Sequence, residues 1–249
     1  MYKEKQIAVV VPAFNEEKFV YRVLDSAPDF VDFLIVVDDK SLDKTVEVVK
    51  KFIKRPVVLI QHLENQGVGG AIASGYKEAF DLGADVAVVM AGDAQMDPAD
   101  MENLLEPLIE NEADYVKGNR LSLKLFINNG MPKVRLLGNI LLTLITKISS
   151  GYWNLVDSQC GYTAINRKAF KRIENDKLYK SYGFPNDILA KLNVYNLRVR
   201  DVPVKSIYGE EISGINIFNF TFNVSILLVR LFIWRIWKKY FVRRTAFIE

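Results

Sequence analysis

The stretch IAVVVPAFNEE at residues 7–17 decides the fold, because a short run of β-branched residues passes directly into a polar loop. Three more short apolar runs follow it, at 33–37, 57–60 and 85–90. Runs of this length and composition are typical of buried parallel strands. Helix-like segments separate them, at 17–26, 44–52, 68–82 and 99–110. The alternation predicts a doubly wound α/β sheet with helices on both faces.

The second half of the chain is less regular. Residues 134–148 carry an apolar stripe at helical spacing, which indicates core packing or, alternatively, a groove for a lipid. Further elements are predicted as a strand at 162–165, a helix at 186–192 and a last strand at 197–203. Asp43 and Asp97 are placed to cap helices, and Pro98 suits a first helical position.

Polar clusters follow all four early strands. They are Asn15-Glu16-Glu17, Asp38-Asp39-Lys40-Ser41, Asn65-Gln66-Gly67 and Asp93-Ala94-Gln95. In open α/β sheets the ligand binds beyond the carboxyl ends of the strands. Because all four clusters fall at that edge, we expect them to form one site.

The cluster after the fourth strand predicts a metal site. Asp93 and Gln95 offer a carboxylate and a carboxamide oxygen, which suit Mg²⁺ or Mn²⁺ sharing the phosphates of a substrate. Of Asp38 and Asp39, one can accept from a ribose hydroxyl or a base N–H, and the other can support the loop or the metal.

The glycines at 67, 69 and 70 let backbone approach a ligand closely. They do not form a dinucleotide fingerprint, because Ile72 stands where that motif needs Gly or Ala, and Tyr76 stands where a P-loop needs Lys.

Composition narrows the class of protein. The 249 residues fit one large α/β domain, alone or with a short appendage. Net charge is +3, but residues 228–249 hold six basic residues and one acid, so the body is mildly acidic and no nucleic-acid partner is expected. Cys160 is the only cysteine and His62 the only histidine, which argues against disulfides and against triad or metalloprotease chemistry.

The C-terminal segment, residues 216–249, is predicted to lie outside the catalytic domain of residues 1–215. Its apolar residues share one face of a helix and its basic residues another, which is typical of a peripheral helix at an anionic membrane surface. The alternative is a helix packed on the domain or on a second subunit, as in a homo-oligomer. The chain opens without an apolar signal segment, so we expect it at the cytoplasmic face of the membrane.

Several motifs occur together in a fixed order along residues 7–215. They are VVPAFNEE at 10–17, VDDKSLDKT at 37–45, NQGVGGA at 65–71, GDAQMDP at 92–98, KGNR at 117–120 and DSQCGY at 157–162. As an ordered set they resemble the family 2 inverting glycosyltransferases of the GT-A fold, and most of all the dolichyl- or polyprenyl-phosphate sugar synthases. The resemblance implies a mixed, mostly parallel sheet.

The resemblance also implies roles for individual residues. The nucleotide pocket would be lined by Pro12, Ala13, Glu16 and Asp39, to which we add the neighbouring Asp38 and Gly70. Asp93 and Gln95 would bind the metal and the diphosphate, with Asp93 counted as catalytic. Arg120 and Arg135 would meet donor or acceptor phosphates, with Arg135 also counted as catalytic. Asp187 would lie near the acceptor.

Three positions depart from the family pattern. Ala91 replaces an acid that many members have two residues before the position of Asp93, and Asn186 replaces the first acid of a late acidic pair. Ile212 stands in a loop that often carries a lysine, so Lys205 or Arg135 would hold the acceptor phosphate.

The predicted reaction is metal-dependent transfer of a sugar, with inversion, from a UDP- or GDP-linked donor to a polyprenyl phosphate. One alternative is transfer to a sugar hydroxyl in cell-surface glycan synthesis, with Asp187 as general base. Others are a nucleotidyltransferase and a non-catalytic nucleotide-sugar-binding subunit.

Overall fold

A computed structural model describes residues 1–121, 133–205, 207 and 217–242, except for the side chains at 133–137, 139 and 217–223. In these ranges the chain forms one seven-stranded sheet. The strands are Ile7–Ala13 (β1), Phe33–Asp38 (β2), Val57–Gln61 (β3), Val86–Val89 (β4), Tyr115–Asn119 (β5), Thr163–Asn166 (β6) and Val199–Pro203 (β7).

Helices cover both faces of the sheet and its carboxyl-terminal flank. They are Val20–Ser26 (α1), Thr45–Lys50 (α2), Val68–Asp81 (α3), Met101–Ile109 (α4), Lys133–Ser150 (α5), Arg167–Ile173 (α6), Phe184–Val194 (α7) and Ile217–Trp237 (α8). A 3₁₀ turn at Pro98–Asp100 leads into α4, and Lys238–Val242 continues α8 as a π-helical turn.

The strand order is β3-β2-β1-β4-β6-β5-β7. All neighbouring strands are parallel except β6, which is antiparallel to both β4 and β5. The predicted mixed, mostly parallel sheet is therefore confirmed.

Alternate residues of each central strand pack into opposite core layers. In β1, Val9 packs with α1 and α4, where Leu24 and Leu104 are buried. Its neighbour Val10 packs on the other face with α3 and α7, where Tyr76 and Leu189 are buried. Both faces of β1 are apolar because both are covered, and this burial holds its polar carboxyl end in place.

The first four predicted strands and the helices between them are found, with shifted ends. Asp97 accepts a hydrogen bond from the backbone N–H of Ala99 (3.0 Å), as expected of a cap, but a 3₁₀ turn precedes α4. Sequence reasoning missed β5, where Lys117, Gly118 and Asn119 interrupt the apolar pattern, although all three are buried. It also missed the short helix α6.

Candidate active site at the carboxyl edge of the sheet

The loops that follow β1, β2 and β4 lie side by side, because these three strands are neighbours in the sheet. Each loop holds a non-glycine residue in the left-handed region: Asn15 (φ 58°), Lys40 (φ 66°) and Ala94 (φ 56°). Such backbone conformations are uncommon outside glycine and are often found at functional sites. The predicted edge is thus marked by unusual backbone at three adjacent strand ends.

Hydrogen bonds join the first two of these loops. The side-chain oxygen of Asn15 accepts from the backbone N–H of Leu42 (2.8 Å), while the N–H of Asn15 donates to Oγ of Ser41 (2.9 Å). The N–H of Glu16 donates to Oγ1 of Thr45 (2.8 Å). The loop that carries Pro12, Ala13 and Glu16 is therefore fixed to the loop that carries Asp38 and Asp39.

Asp39 is buried, and both of its carboxylate oxygens contact other groups of the protein. Oδ1 contacts Nδ1 of His62 (2.7 Å) and accepts from the N–H of Gln66 (2.8 Å), and Oδ2 accepts from the N–H of Gly67 (2.7 Å). His62 also contacts Oγ of Ser74 (2.9 Å). The single histidine therefore helps to hold Asp39 against the loop after β3.

Asp38 differs from its neighbour. Its Oδ2 accepts from the N–H of Ser41 (3.2 Å), whereas its buried Oδ1 has no hydrogen-bond partner within the described ranges. A buried carboxylate oxygen without a donor is uncommon in a native fold. Of the two adjacent acids, Asp38 thus has the acceptor atom left for a ligand.

Asp93 lies in the loop after β4, close to residues of the loop after β1. Its Oδ1 accepts from the N–H of Gln95 (3.0 Å), which closes a turn around Ala94. Gly92 packs against the β1 loop so closely that an added Cβ would lie 3.1 Å from Cγ of Glu16 and 3.2 Å from the carbonyl oxygen of Pro12. The structure therefore brings together three predicted site residues, Pro12, Glu16 and Asp93.

The chemistry of this turn fits a cation that shares its ligands with a phosphate. Asp93 and Gln95 supply two oxygen-bearing side chains, and the remaining ligands of a hard cation would come from substrate and water. Within the described part of the chain, no group of three or more His, Cys, Asp or Glu side chains is arranged to hold a metal ion. The predicted site depends on the diphosphate for its completion.

The glycines before and within α3 make room for another part of this chain. A Cβ at Gly67 would lie 2.5 Å from the carbonyl oxygen of Lys180, and one at Gly69 would lie 2.1 Å from that of Tyr179. The N–H groups of Gly69 (2.8 Å) and Gly70 (3.3 Å) both donate to the Lys180 carbonyl. The close backbone approach expected of a ligand is therefore made by residues 179–181, and nucleotide binding by Gly70 stays a prediction.

Arg120 follows β5 and forms a two-point pair with Asp157. Its Nε donates to Oδ2 (2.7 Å) and its Nη2 to Oδ1 (3.1 Å). Burial raises the pKa of Asp157, but the charge and hydrogen bonds of Arg120 outweigh it and leave that pKa below its ordinary value. Lys117, three residues earlier in β5, is fully buried and donates to the carbonyl oxygen of Cys160 (2.6 Å).

Asp187 is buried at the start of α7 and paired with Lys191 (2.6 Å). It also accepts from the N–H of Tyr179 (2.7 Å), so it anchors the segment that packs on the glycines of α3. Burial raises its pKa, against the opposing charge of Lys191. The adjacent Asn186 accepts from Thr146 (2.8 Å) and Gln159 (3.1 Å) through Oδ1.

The other two predicted basic residues are placed only in part. Arg135 belongs to the first turn of α5, and its side chain lies outside the described residues, as does the loop that holds Ile212. Lys205 is exposed, and its backbone N–H donates to Oδ2 of Asp100 (2.6 Å). Burial raises the pKa of Asp100.

Arg235 of helix α8 and Lys239 of the turn after it point inward, contrary to the expectation of a basic face at the surface, whereas Arg230 is exposed. Arg235 is 8% exposed and donates to the carbonyl oxygens of Ser149 (2.8 Å) and Ile148 (3.2 Å) at the end of α5. Lys239 donates to the carbonyl oxygen of Asn193 (3.0 Å) near the end of α7. Last-turn carbonyls lack partners within their helix and attract cations, which explains the inward turn.

The outer face of α8 carries large apolar residues beside the exposed Arg230. Val229, Ile233 and Trp237 each expose more than half of their surface, and Leu141 and Leu144 of α5 do the same. Within the described ranges no helix has the combined length and apolar character that a membrane crossing requires. Arg243 and the rest of the basic tail lie outside the described residues.

Sequence reasoning gave no role to Asp157, Lys117 or Thr146. Asp157 belongs to the motif DSQCGY, but the sequence does not indicate that its partner is Arg120, 37 residues earlier. The signal that could have identified the ion pair is an acidic residue with no basic residue close to it in the sequence. Such an acid, in a loop that returns to the carboxyl edge of the sheet, needs a distant partner.

Comparison with known proteins agrees with the fold and the motifs. The model of the family described as glycosyl transferase family 2 matches residues 8–174. A UDP-N-acetylglucosamine–dolichyl-phosphate N-acetylglucosaminyltransferase of Methanococcus voltae is 33% identical over 222 residues, covering 83% of this chain and 88% of that protein. An undecaprenyl-phosphate mannosyltransferase of Micrococcus luteus is 28% identical over 216 residues, covering 82% and 85%.

The fold is shared with a solved structure of lower sequence similarity. Glucosyl-3-phosphoglycerate synthase of Mycobacterium tuberculosis, crystallised with Mn²⁺, UDP and glucosyl-3-phosphoglycerate, superposes with a TM-score of 0.67 at 18% identity. The match covers 93% of this chain and 80% of that one. At this identity the likeness concerns the fold.

Proposed function

The chain belongs to glycosyl transferase family 2, and we propose that this glycosyltransferase moves a sugar from a nucleotide-sugar to the phosphate of a polyprenyl phosphate. The observation that carries the proposal is the similarity to the Methanococcus voltae protein, whose name includes a UDP-linked donor and a dolichyl-phosphate acceptor. That similarity extends over most of both chains. The meeting of Pro12, Glu16 and Asp93 at Gly92 supports a donor site at the carboxyl edge.

We assign the donor diphosphate to Asp93 and Gln95, together with Mg²⁺ or Mn²⁺. The two side chains supply oxygen ligands from one tight turn, which leaves room for phosphate oxygens in the shell of a hard cation. When bound, such a cation offsets the negative charge that develops on the leaving nucleoside diphosphate. The Mn²⁺ and UDP in the mycobacterial synthase, which has the same fold, support this assignment.

The nucleoside is assigned to the loops after β1 and β2, with Pro12, Ala13 and Glu16 on one side. Asp38 is assigned to it because its buried Oδ1 has no partner in the described part of the chain and can accept from a ribose hydroxyl or a base N–H. Asp39 shapes the pocket by holding the loop after β3, and both UDP- and GDP-linked donors fit this chemistry.

The acceptor phosphate is assigned to the basic residues Arg120, Arg135 and Lys205. A phosphate monoester is ionised at neutral pH, so one of its oxygens attacks the anomeric carbon as the diphosphate leaves from the opposite face, with inversion. No strong general base is needed for this step. The ion pair of Asp187 with Lys191 accordingly supports a positioning role for Asp187.

Transfer to a sugar hydroxyl is the second candidate, and one observation favours it. Burial raises the pKa of Asp187, which moves a carboxylate toward the range of an effective general base. Under this alternative a soluble sugar would accept the donor sugar, and the rate would depend on the ionisation of Asp187.

The test of the donor site is Asp93→Ala, with Asp85→Ala as matched control. Each acid accepts one backbone N–H, Asp93 from Gln95 and Asp85 from Gln6 (3.0 Å), but Asp85 lies at the opposite edge of the sheet. With a panel of nucleotide-sugars, farnesyl phosphate and Mn²⁺, we expect product with the control and none with Asp93→Ala. Full activity of Asp93→Ala would contradict the site.

We further propose that residues 216–249 hold a catalytic domain of residues 1–215 at the cytoplasmic face of a membrane. The outer faces of α5 and α8 expose large apolar residues, with Arg230 the exposed cation among the described residues of α8, and neither helix contains an acidic residue. Because Arg235 and Lys239 point inward, the contact is made by apolar and aromatic side chains more than by charge.

The membrane proposal is tested by flotation with vesicles of phosphatidylcholine and phosphatidylserine. The double variant Ile233→Ser/Trp237→Ser should lose binding, whereas Ile53→Ser/Leu63→Ser, which changes two apolar residues that are even more exposed, should keep it. Equal binding by both variants would contradict the assignment to α8.

A further inference from the structure

Two arginine–aspartate pairs stand at opposite ends of β5. At the amino end, Arg198 donates to Asp114 from Nε (3.1 Å) and Nη2 (3.1 Å). At the carboxyl end, Arg120 donates to Asp157 in the same two-point manner. The two pairs share their chemistry but not their surroundings.

The pair at the amino end is explained by the fold. Arg198 is half exposed, and it also donates to the backbone carbonyl and to the side chain of Asn111, so it ties the turn after α4 to β7. Its loss would release a turn far from the loops that follow β1, β2 and β4.

The pair at the carboxyl end also holds backbone, since Asp157 accepts from the N–H groups of Arg120 (3.2 Å) and Gln159 (3.1 Å), but it does so in a far more buried setting. Asp157 is fully buried, the side chain of Arg120 is 13% exposed, and two further ionisable side chains lie beside them, the first buried and the second partly buried. Lys117 is one, and Asp201, its pairing partner across β5 and β7, is the other. Buried ionic groups cost desolvation and often add little stability, so their presence here calls for another use.

The loop of Asp157 leads directly to the predicted acceptor residues. Asp157 Oδ1 accepts from the N–H of Gln159 (3.1 Å), and the side chain of Gln159 donates to Asn186 (3.1 Å), the neighbour of Asp187. Thr146 of α5 donates to the same Asn186 oxygen (2.8 Å). Arg120 is thus linked through Asp157 to both helices that flank the acceptor region.

We propose that Asp157 is a positioning residue that fixes the plane of the Arg120 guanidinium for a phosphate monoester, the acceptor of the reaction. The inference rests on the proposed function for the identity of that phosphate. A planar guanidinium binds phosphate best when its orientation is fixed beforehand, and the two-point pair fixes it. Asp157 itself touches no substrate.

The experiment compares Asp157→Asn with Asp114→Asn, which makes the same change in the matched pair. We measure steady-state kinetics with farnesyl phosphate and the binding of farnesyl phosphate in detergent by calorimetry. Asp157→Asn should raise the acceptor KM and Kd by about 30-fold, as expected for a weakened charge-assisted contact. The donor KM should change less than about twofold. Asp114→Asn should leave all three values unchanged.

A second variant covers the case in which Asp157→Asn does not fold. Arg120→Lys keeps a cation beside Asp157 but loses the fixed plane, and we expect the same rise in acceptor KM and Kd in the folded protein. Wild-type acceptor affinity in either folded variant would overturn the inference while leaving the proposed function intact.

Measuring the binding of farnesyl phosphate distinguishes the proposed function from the positioning role of Asp157. If the wild type binds farnesyl phosphate without glycosylating it, and Asp157→Asn weakens that binding, the proposed function fails and the positioning role stands. If the wild type does not bind farnesyl phosphate at all, both are overturned.

Discussion

The two edges of the sheet are both lined by aspartates, yet the aspartates do different things. At the amino edge, Asp32 accepts from the N–H of Ile7 (2.8 Å), Asp85 from Gln6, and Asp114 from Arg198. Each of these acids ties down the start of a strand. At the carboxyl edge, Asp38 keeps a buried oxygen without a partner in the described ranges, and Asp93 shapes a turn beside the β1 loop.

The difference teaches that the function of an acid here follows from what its second oxygen does. An acid whose oxygens are all engaged by the fold contributes to stability. An acid such as Asp38, whose buried Oδ1 has no hydrogen-bond partner among the described residues, keeps an acceptor that the fold does not use. Substitutions that separate stability from activity therefore test the comparison most directly.

The largest effect is expected at the buried ion pair of the carboxyl side. Lys191→Met leaves Asp187 buried without its cation, which should lower the free energy of unfolding by about 4 kcal/mol. The matched control is Lys77→Met in the exposed pair with Asp81, which has the same four-residue spacing and should leave the free energy of unfolding nearly unchanged. Urea denaturation measures both, and equal losses would contradict the distinction.

Two variants, one at each edge of the sheet, test the comparison between the edges. Asp93→Asn keeps an acceptor for the Gln95 N–H but loses the charge, so turnover should fall by about 100-fold, roughly 2.7 kcal/mol, at an unchanged melting temperature. Asp114→Asn weakens the pair with Arg198 and should cost about 2 kcal/mol of stability, with unchanged turnover per folded molecule. Turnover assays and thermal melts of both proteins decide it. Loss of turnover in Asp114→Asn would remove the contrast.

The smallest effect is a pH dependence from Asp201. Burial raises its pKa to about 6, so the folded state prefers the protonated carboxyl. Its contribution to stability is complete below about pH 4 and is lost as the pH rises through about 6. Urea midpoints from pH 4 to 7 should fall less steeply for Asp201→Asn. Parallel curves for variant and wild type would show that Asp201 does not titrate in this range.

Much of the fold could be predicted because it depends on local pattern. The runs at 7–11 and 33–37 are apolar on both faces, and the structure covers both faces of β1 and β2. The strand β5 could not be found in this way, since Lys117 is buried only because Cys160 supplies a carbonyl oxygen 43 residues later. Glycosyl transfer and the family were predicted from the ordered motifs and are confirmed.

The sequence predicts where the candidate site lies in the fold but not which contacts its side chains make. Acids at strand ends fall at one edge by topology, so Asp38 and Asp39 at the end of β2 and Asp93 after β4 lie at the carboxyl edge, and their use in one site stays a prediction. That Asp39 is engaged by His62 and by two backbone N–H groups depends on how the loop after β3 folds. That Gly67 and Gly69 make room for residues 179–181 depends on a contact more than a hundred residues away.

The antiparallel strand β6 also sets an order of assembly. Strands β1 to β4 are complete by residue 89, and they pair only with one another until β6 is made. β5 comes next in the chain but has no neighbour among them, because β6, at residues 163–166, lies between β4 and β5. During synthesis the sheet of β1 to β4 can therefore form first, whereas β5 cannot pair until β6 has been made. Long-range pairings of this kind form late in folding.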